Sequence, residues 1–176
     1  SHYDHCSIKD IQKISKTGAV IAVPPDAQSK ITRIKNVEMQ IVELEDEFKF
    51  GNVKVSAVPA YNPNKKFHPK KEGWVGYLLT LGKVILYHAG DTDKIPEMTR
   101  LTGHSKHDNI FVVLLPVSGT YVMTADEAFE VVELLNPDIT IPMHYGAGVA
   151  GTIKDAENFV ELCTREGFDA RILEKI

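Results

Sequence analysis

The first apolar positions of the chain repeat with helical spacing. After Ser7, a residue that favours helix N-caps, isoleucines fall at three-residue intervals, and Gly18 follows as a residue that favours a helix end. We therefore predict a short helix directly after Ser7. The apolar run over 19–23 that comes next predicts a buried strand.

Between residues 38 and 60 the apolar positions alternate with polar ones in the two-residue rhythm typical of strands. One alternating segment covers 38–42 and another covers 53–57, with the turn-forming pair Gly51-Asn52 between them. We predict antiparallel strands over these segments, joined through that turn.

The rest of the chain predicts one hairpin followed by alternating strands and helices. The predicted hairpin strands cover 74–81 and 83–88 around Gly82, and the later elements are strands over 110–115, 139–143 and 169–173 with helices opened by Thr124 and Thr152. Amphipathic helices must cover the apolar strands that they connect. The order of elements therefore predicts two sheets with helices on their outer faces.

Composition is that of an ordinary globular protein. With 176 residues, 43% hydrophobic and 25% charged, the chain predicts one domain over 1–176 with a sizeable core, and it excludes disordered and coiled-coil classes. The net charge of -4 does not favour a nucleic-acid or anionic-membrane partner. Cys6 and Cys163 lack the spacing of a disulfide framework, which predicts that both are free thiols. The sequence shows no membrane-spanning or signal segment, which predicts a cytoplasmic location. Homo-oligomerisation stays open.

Histidines beside carboxylates mark three places where a metal ion is expected. His2, Asp4 and His5 fall within four residues, Asp91 comes just after a predicted strand, and His144 comes just after another. Imidazole and carboxylate together suit a borderline cation such as zinc, and Asp91 is a candidate to bridge two cations. Asp91 and His144 each follow the end of a predicted strand, where ligands commonly bind.

The other histidines are less informative. His88 lies within a predicted strand and is better interpreted as a core or supporting histidine than as a ligand. His104 and His107 lie in a polar stretch and are expected to be exposed to solvent.

Several short segments carry a resemblance to a known family. SHYDH resembles the HxHxDH signature of the metallo-β-lactamase superfamily, starting one residue after its first histidine. Four later segments are similar, in order and spacing, to the branch of that superfamily that contains L-ascorbate 6-phosphate lactonase and related metal-dependent hydrolases: VPAYNP, HAGDTD, LLPVSGTY and PMHYG. The resemblance implies an α+β fold, a four-layer αββα sandwich, with a binuclear metal site along the sheet edges. The family has strands ahead of this signature, so we expect further residues before Ser1 in the natural protein.

The resemblance also implies a ligand set. It makes Asp4, His5 and His144 the ligands of one metal, with Asp91 bridging to the other. For the second metal it implies His2, a histidine before Ser1 and a loop histidine.

At the place of that loop histidine the chain offers Asn62, with His68 the nearest candidate replacement. Asparagine is a weak donor for zinc, so a loosely held metal, a substitute ligand and a mononuclear site all stay open. An exposed loop histidine is an equally good interpretation of His68.

The activity implied is hydrolysis of a lactone or phosphoester-type small molecule by a metal-activated water, with one or two zinc ions or with manganese. Asp4, His5 and Asp91 are the catalytic candidates, and Tyr145 is a candidate substrate contact. Lysines in the loop 60–73 would favour an anionic substrate if they face the cleft. The alternative is a non-catalytic, metal-poor binding or scaffolding member of the same fold.

Overall fold

The computed structural model describes residues 2–106 and 108–174, and these form two sheets with helices. The strands are β1 Ala19–Val23, β2 Val37–Ile41, β3 Glu47–Phe50, β4 Val53–Pro59, β5 Val75–Leu81, β6 Val84–His88, β7 Ile110–Pro116 and β8 Ile139–Met143. The α-helices are α1 Ile8–Ile14, α2 Gln28–Ile31, α3 Ala125–Leu135 and α4 Ile153–Arg165. Short 3₁₀ helices cover Pro25–Ala27, Lys70–Glu72 and Pro96–Leu101.

The larger sheet has six strands in the order β3-β4-β5-β6-β7-β8. Strands β3 to β6 pair antiparallel, and β6, β7 and β8 are parallel. The antiparallel strands follow one another through short turns, whereas the parallel ones need crossovers that run through Pro96–Leu101 and α3. One consequence matters for the site: β4, β6, β7 and β8 all run in the same direction, so their carboxyl ends lie at one edge of the sheet.

The main core lies between the large sheet and the helices α3 and α4. Alternate residues of β6 and β7 point into it, and Tyr87, Phe111 and Val113 are completely buried there. Phe159 of α4 and Val131 of α3 pack against them from the other side. The predicted capping box at Thr124 is present: its hydroxyl accepts from the amide of Glu127, whose carboxylate accepts from the Thr124 amide.

A second, smaller core belongs to the two-stranded sheet. Cys6, Val23, Ile31 and Ile34 are buried in it, with isoleucines of α1 packed alongside. The expectation of a buried β1 is met only at Val23, because the other residues of this strand are half-buried or, like Val20, 40% exposed. Both cysteines are free thiols, as expected, and both are buried.

The predicted partner of segment 38–42 is wrong. This segment forms β2 and pairs parallel with β1, in the separate two-stranded sheet. The chain between β1 and β2 passes through Pro25–Ala27 and α2, and such a crossover returns it in the same direction. The strand that pairs antiparallel with β4 across Gly51-Asn52 is β3. The hairpin of β5 and β6 around Gly82 is confirmed.

Two further expectations need correction. The segment 169–173 is not a regular strand, because its pairing with β8 is limited to an isolated bridge between Ala170 and Thr140. His104 is half-buried, since its ring lies 5.2 Å from that of Phe111. His107 lies outside the described residues. None of the helices in the described parts of the chain is both long and apolar enough to cross a bilayer.

Candidate metal centre

The opening cluster is shaped by a tight turn ahead of α1. The amides of His5 and Cys6 both donate to the carbonyl of His2, at 3.2 and 2.8 Å. Ser7 then caps α1 by accepting from the amide of Asp10. The turn brings three of the polar side chains, His2, Asp4 and His5, to the same place as residues from the edge of the large sheet.

The edge of the sheet supplies the remaining groups. Asp91 follows β6, and Gly90 before it adopts φ +69°, with Val75 carbonyl 3.2 Å from where a Cβ would stand. A side chain there would be strained and crowded, so glycine lets the chain turn and present Asp91. His144 follows β8 directly, also with a positive φ of 60°. Because β6 and β8 are both parallel to β7, the two residues meet.

The first group of candidate ligands consists of Asp4, His5, Asp91 and His144, whose ligand atoms all lie within 4.8 Å of one another. The Oδ1 atom of Asp91 lies 2.9 Å from Nε2 of His5 and 3.4 Å from Nε2 of His144. Oδ2 of Asp4 lies 3.5 Å from the same atom of His144. Two imidazole nitrogens and two carboxylates converge as a set of zinc-type ligands would.

The second group consists of His2, His68 and Asp91. Nε2 of His68 lies 3.1 Å from Oδ2 of Asp91 and 3.3 Å from Nδ1 of His2. Of the two residues that the sequence leaves open for the loop position, the structure thus brings His68 to the centre. It is 3% exposed, so the interpretation as an exposed loop histidine is wrong.

The side-chain amide of Asn62 contacts His68 and Tyr121. Its Nδ2 atom donates to the carbonyl of Tyr121 at 2.6 Å and lies 3.2 Å from Nδ1 of His68. In this orientation the amide nitrogen, which cannot ligate a cation, faces His68, and Oδ1 of Asn62 is buried without a hydrogen-bond partner among the described residues.

Asp91 presents one oxygen to each group, which is how a bridging carboxylate is arranged. Its Oδ1 is buried and, among the described residues, no donor reaches it with hydrogen-bonding geometry, although the Nε2 of His5 is close. A buried carboxylate oxygen without a hydrogen-bond donor destabilises the folded protein unless another group interacts with it. A divalent cation between these groups would do so, and the histidine and carboxylate donors present therefore fit a zinc-type ion.

The charges of the centre are strongly coupled. Burial alone would raise the pKa of the Asp91 carboxyl, but the imidazoles of His5 and His68 hold it well below its usual range. In return, Asp91 raises the pKa of His5 despite the opposing effect of burial. Burial, followed by the neighbouring His68, lowers the pKa of His2. The carboxylate of Asp91 thus stays ionised.

Two of the nearby residues make supporting contacts, and only that of Ser118 was missed by the sequence analysis. Ser118, at the end of β7, places its hydroxyl 2.9 Å from Nδ1 of His144. His88 belongs to neither candidate group, and its Nδ1 accepts from the amide of Gly90 at 3.2 Å, in agreement with the expected supporting role. The signal for Ser118 was its place after a parallel strand next to those of Asp91 and His144.

Other predicted residues lie away from the centre or are otherwise engaged. Tyr145 is half-buried and packs against the main core. In the loop 60–73, Lys65 pairs with Asp93 at 2.5 Å and Lys70 pairs with Glu97. The exposed Lys66 and Lys71 are the other lysines of this loop.

A cavity of about 640 Å³ adjoins both groups of candidate ligands. Histidines and Asp91 line it at the metal centre, and apolar residues of α1, β1 and β5 line the remainder, with Trp74 and Tyr77 beside them. No lysine or arginine of the described residues lines it.

Comparison with known proteins agrees with this architecture. A family model described as a β-lactamase superfamily domain matches residues 1–144. A candidate metal-dependent hydrolase from Parabacteroides distasonis shares the fold at a TM-score of 0.79 with 30% identity, covering 100% of this chain and 74% of that one. A metallo hydrolase from Ignicoccus hospitalis has a TM-score of 0.75 at 23% identity, with coverage of 99% and 73%. The fold is therefore the expected metallo-β-lactamase fold.

The chain belongs to the β-lactamase superfamily, and its relatives include proteins named UPF0173 metal-dependent hydrolases. That of Thermoplasma acidophilum is 32% identical over 82% of this chain, and that of Pyrococcus furiosus is 34% identical over 82%. The matches cover 62% and 63% of those two relatives, so the chain spans less than two thirds of their length.

Proposed function

We propose that this chain carries the active site of a metal-dependent hydrolase that uses two divalent cations. The observation that carries the proposal is the position of Asp91, whose two oxygens face two different groups of histidines. The relatives named metal-dependent hydrolases support the same reaction class. The ligand set of histidines and carboxylates favours zinc, with manganese as the alternative ion.

Each of the two groups has its own ligands in this proposal. Asp4, His5 and His144 would hold one cation, His2 and His68 would hold the other, and Asp91 would be shared between them. Bound cations supply a water of lowered pKa and polarise the oxygen of the group under attack. Asp4 has a partly exposed carboxylate at the open side of the first group and orients the attacking water.

For the substrate we propose a small molecule with a lactone or phosphoester bond. The cavity beside the centre is lined by apolar and aromatic side chains, which suits the carbon skeleton of a small ligand. None of the loop lysines lines the cavity, and Lys65 and Lys70 are paired with carboxylates, so an anionic substrate would have to reach Lys66 or Lys71 outside the cavity. The charge of the substrate is therefore a separate, more specific part of the proposal.

The test is a substrate panel with metal-depleted and metal-restored protein. It contains a neutral lactone, a phosphorylated sugar lactone and a phosphodiester, each with added zinc or manganese. We expect metal-dependent hydrolysis of at least one of them, and loss of that activity in Asp91→Ala. Faster hydrolysis of the neutral lactone than of the phosphorylated one would overturn the anionic preference. No bound metal and no turnover would favour the non-catalytic, metal-poor alternative.

A further inference from the structure

His68 has a backbone conformation that it does not adopt readily by itself. Its φ is +53°, in the left-handed region, and the residue is almost completely buried. Such a conformation persists only where surrounding contacts hold it. The next residue is Pro69, and the loop continues to Lys70–Glu72 without a strand to fix it. The position of His68 therefore depends on contacts made by the loop.

The ring of His68 is oriented through its Nδ1 atom. This atom lies 3.0 Å from the carbonyl oxygen of Tyr121, which is an acceptor, and 3.2 Å from Nδ2 of Asn62, a donor that already donates to the same carbonyl at the shorter distance of 2.6 Å. With Nδ1–H donating to that carbonyl, Nε2 carries no proton and faces Asp91 and His2. This is the tautomer that a metal-ligating histidine needs. The orientation of the Tyr121 carbonyl thus decides which nitrogen is available.

Asn62 contacts both members of that hydrogen bond. Its Nδ2 donates to the Tyr121 carbonyl at 2.6 Å, and its backbone amide donates to the carbonyl of His68 at 2.8 Å. The side chain is 3% exposed, so water does not compete for these contacts. A carbonyl oxygen has two lone pairs, and the Asn62 amide and the His68 imidazole use one each.

We propose that Asn62 is a positioning residue that fixes His68 for the second cation through the shared carbonyl of Tyr121. The inference rests on the two-cation site proposed above. It predicts an effect restricted to the group of His2, His68 and Asp91, because the Asn62 side chain contacts none of the other candidate ligands in the interactions given above.

The experiment is a metal titration of the full chain with Co²⁺, followed by visible absorption and calorimetry. In the wild type we expect two binding steps. In Asn62→Ala we expect the step lost in His68→Ala to weaken about 10- to 100-fold, which is the usual cost of removing an outer-sphere partner, while the other step is unchanged. Asn64→Ala is the matched control, because Asn64 is an exposed asparagine in the same loop.

The outcomes separate this inference from the proposed function. A wild type with fewer than two Co²⁺ binding steps would overturn the two-cation site and, with it, the inference. Two steps in the wild type and the same two affinities in Asn62→Ala would overturn only the role of Asn62. Equal weakening of both steps would show a general structural role and overturn it too. If Asn62→Ala lacks the wild-type circular dichroism, Asn62→Ser replaces it, and failure of both to fold counts against positioning.

Discussion

His144 and His68 are two histidines on opposite sides of Asp91, and the chain places them in different ways. Both have positive φ angles, 60° and 53°, and both side chains are buried. His144 follows β8 directly, and its Nδ1 faces the hydroxyl of Ser118 at the end of the neighbouring strand. His68 lies in the loop after β4, and its Nδ1 faces a backbone carbonyl.

The difference shows that strand pairing positions His144, whereas contacts of the loop must position His68. A hydrogen bond from the Val117 amide to the Met143 carbonyl, at 3.2 Å, joins the chain at the ends of β7 and β8. The pairing of these strands therefore fixes the distance between Ser118 and His144. The loop 60–73 instead needs Asn62 and Lys65 to attach it to the segment 121–122. His144 is thus positioned by strand pairing, whereas the loop that carries His68 is attached to the segment 121–122 by polar side chains.

The largest effect should come from Asp91, because both groups of candidate ligands share it. Asp91→Ala should remove both cations and lower the hydrolytic rate about a thousandfold, in the range found for loss of a preorganised electrostatic group. Metal content by plasma mass spectrometry and steady-state rates measure the two effects. Asp126→Ala, at an exposed acidic residue of α3, is the control. Retention of full metal content by Asp91→Ala would contradict a shared ligand.

The next effect concerns the attachment of the loop. Lys65 donates to Val122 carbonyl at 2.6 Å and pairs with Asp93, whose carboxyl is mostly buried. Lys65→Met leaves that carboxylate without its partner and should lower the free energy of unfolding by about 3 kcal/mol. The exposed pair of Lys94 and Glu130, at 2.6 Å, is the control, and Lys94→Met should cost less than about 1 kcal/mol. Equal changes in urea unfolding would contradict this difference.

Ser118 tests the other half of the comparison. Ser118→Ala removes the hydroxyl beside Nδ1 of His144 and should weaken the cation at Asp4, His5 and His144 about 10-fold. The cation at His2 and His68 should keep its affinity, which is the reverse of the pattern expected for Asn62→Ala. Ser29→Ala, at an exposed serine, controls for the substitution itself. A titration in which Ser118→Ala and Asn62→Ala affect the same step would break the comparison.

The smallest effect is expected at Tyr145. This residue follows His144 in sequence, but it packs against the main core. Tyr145→Phe should therefore change the rate less than about twofold, within the range of substitutions away from special features. A large fall in kcat with unchanged metal content would instead support the substrate contact that the sequence suggested.

The site residues that follow strand ends could be predicted from the sequence. Asp91 and His144 follow apolar strands that are recognisable by pattern alone, and parallel pairing brings them together. Sequence reasoning left His68 undecided because the loop is folded by contacts with Tyr121, 59 residues away from Asn62 along the chain. It assigned β2 to the wrong partner for a similar reason: alternation identifies a strand but does not specify the strand beside it.

The most direct test of the account is the number of cations that the chain binds. Protein purified without chelator, then saturated with zinc and freed of excess metal, should hold two equivalents by plasma mass spectrometry. His68→Ala should hold one, because the first group keeps its four candidate ligands. Fewer than two equivalents in the wild type, or the same number in wild type and His68→Ala, would contradict a two-cation centre shared through Asp91.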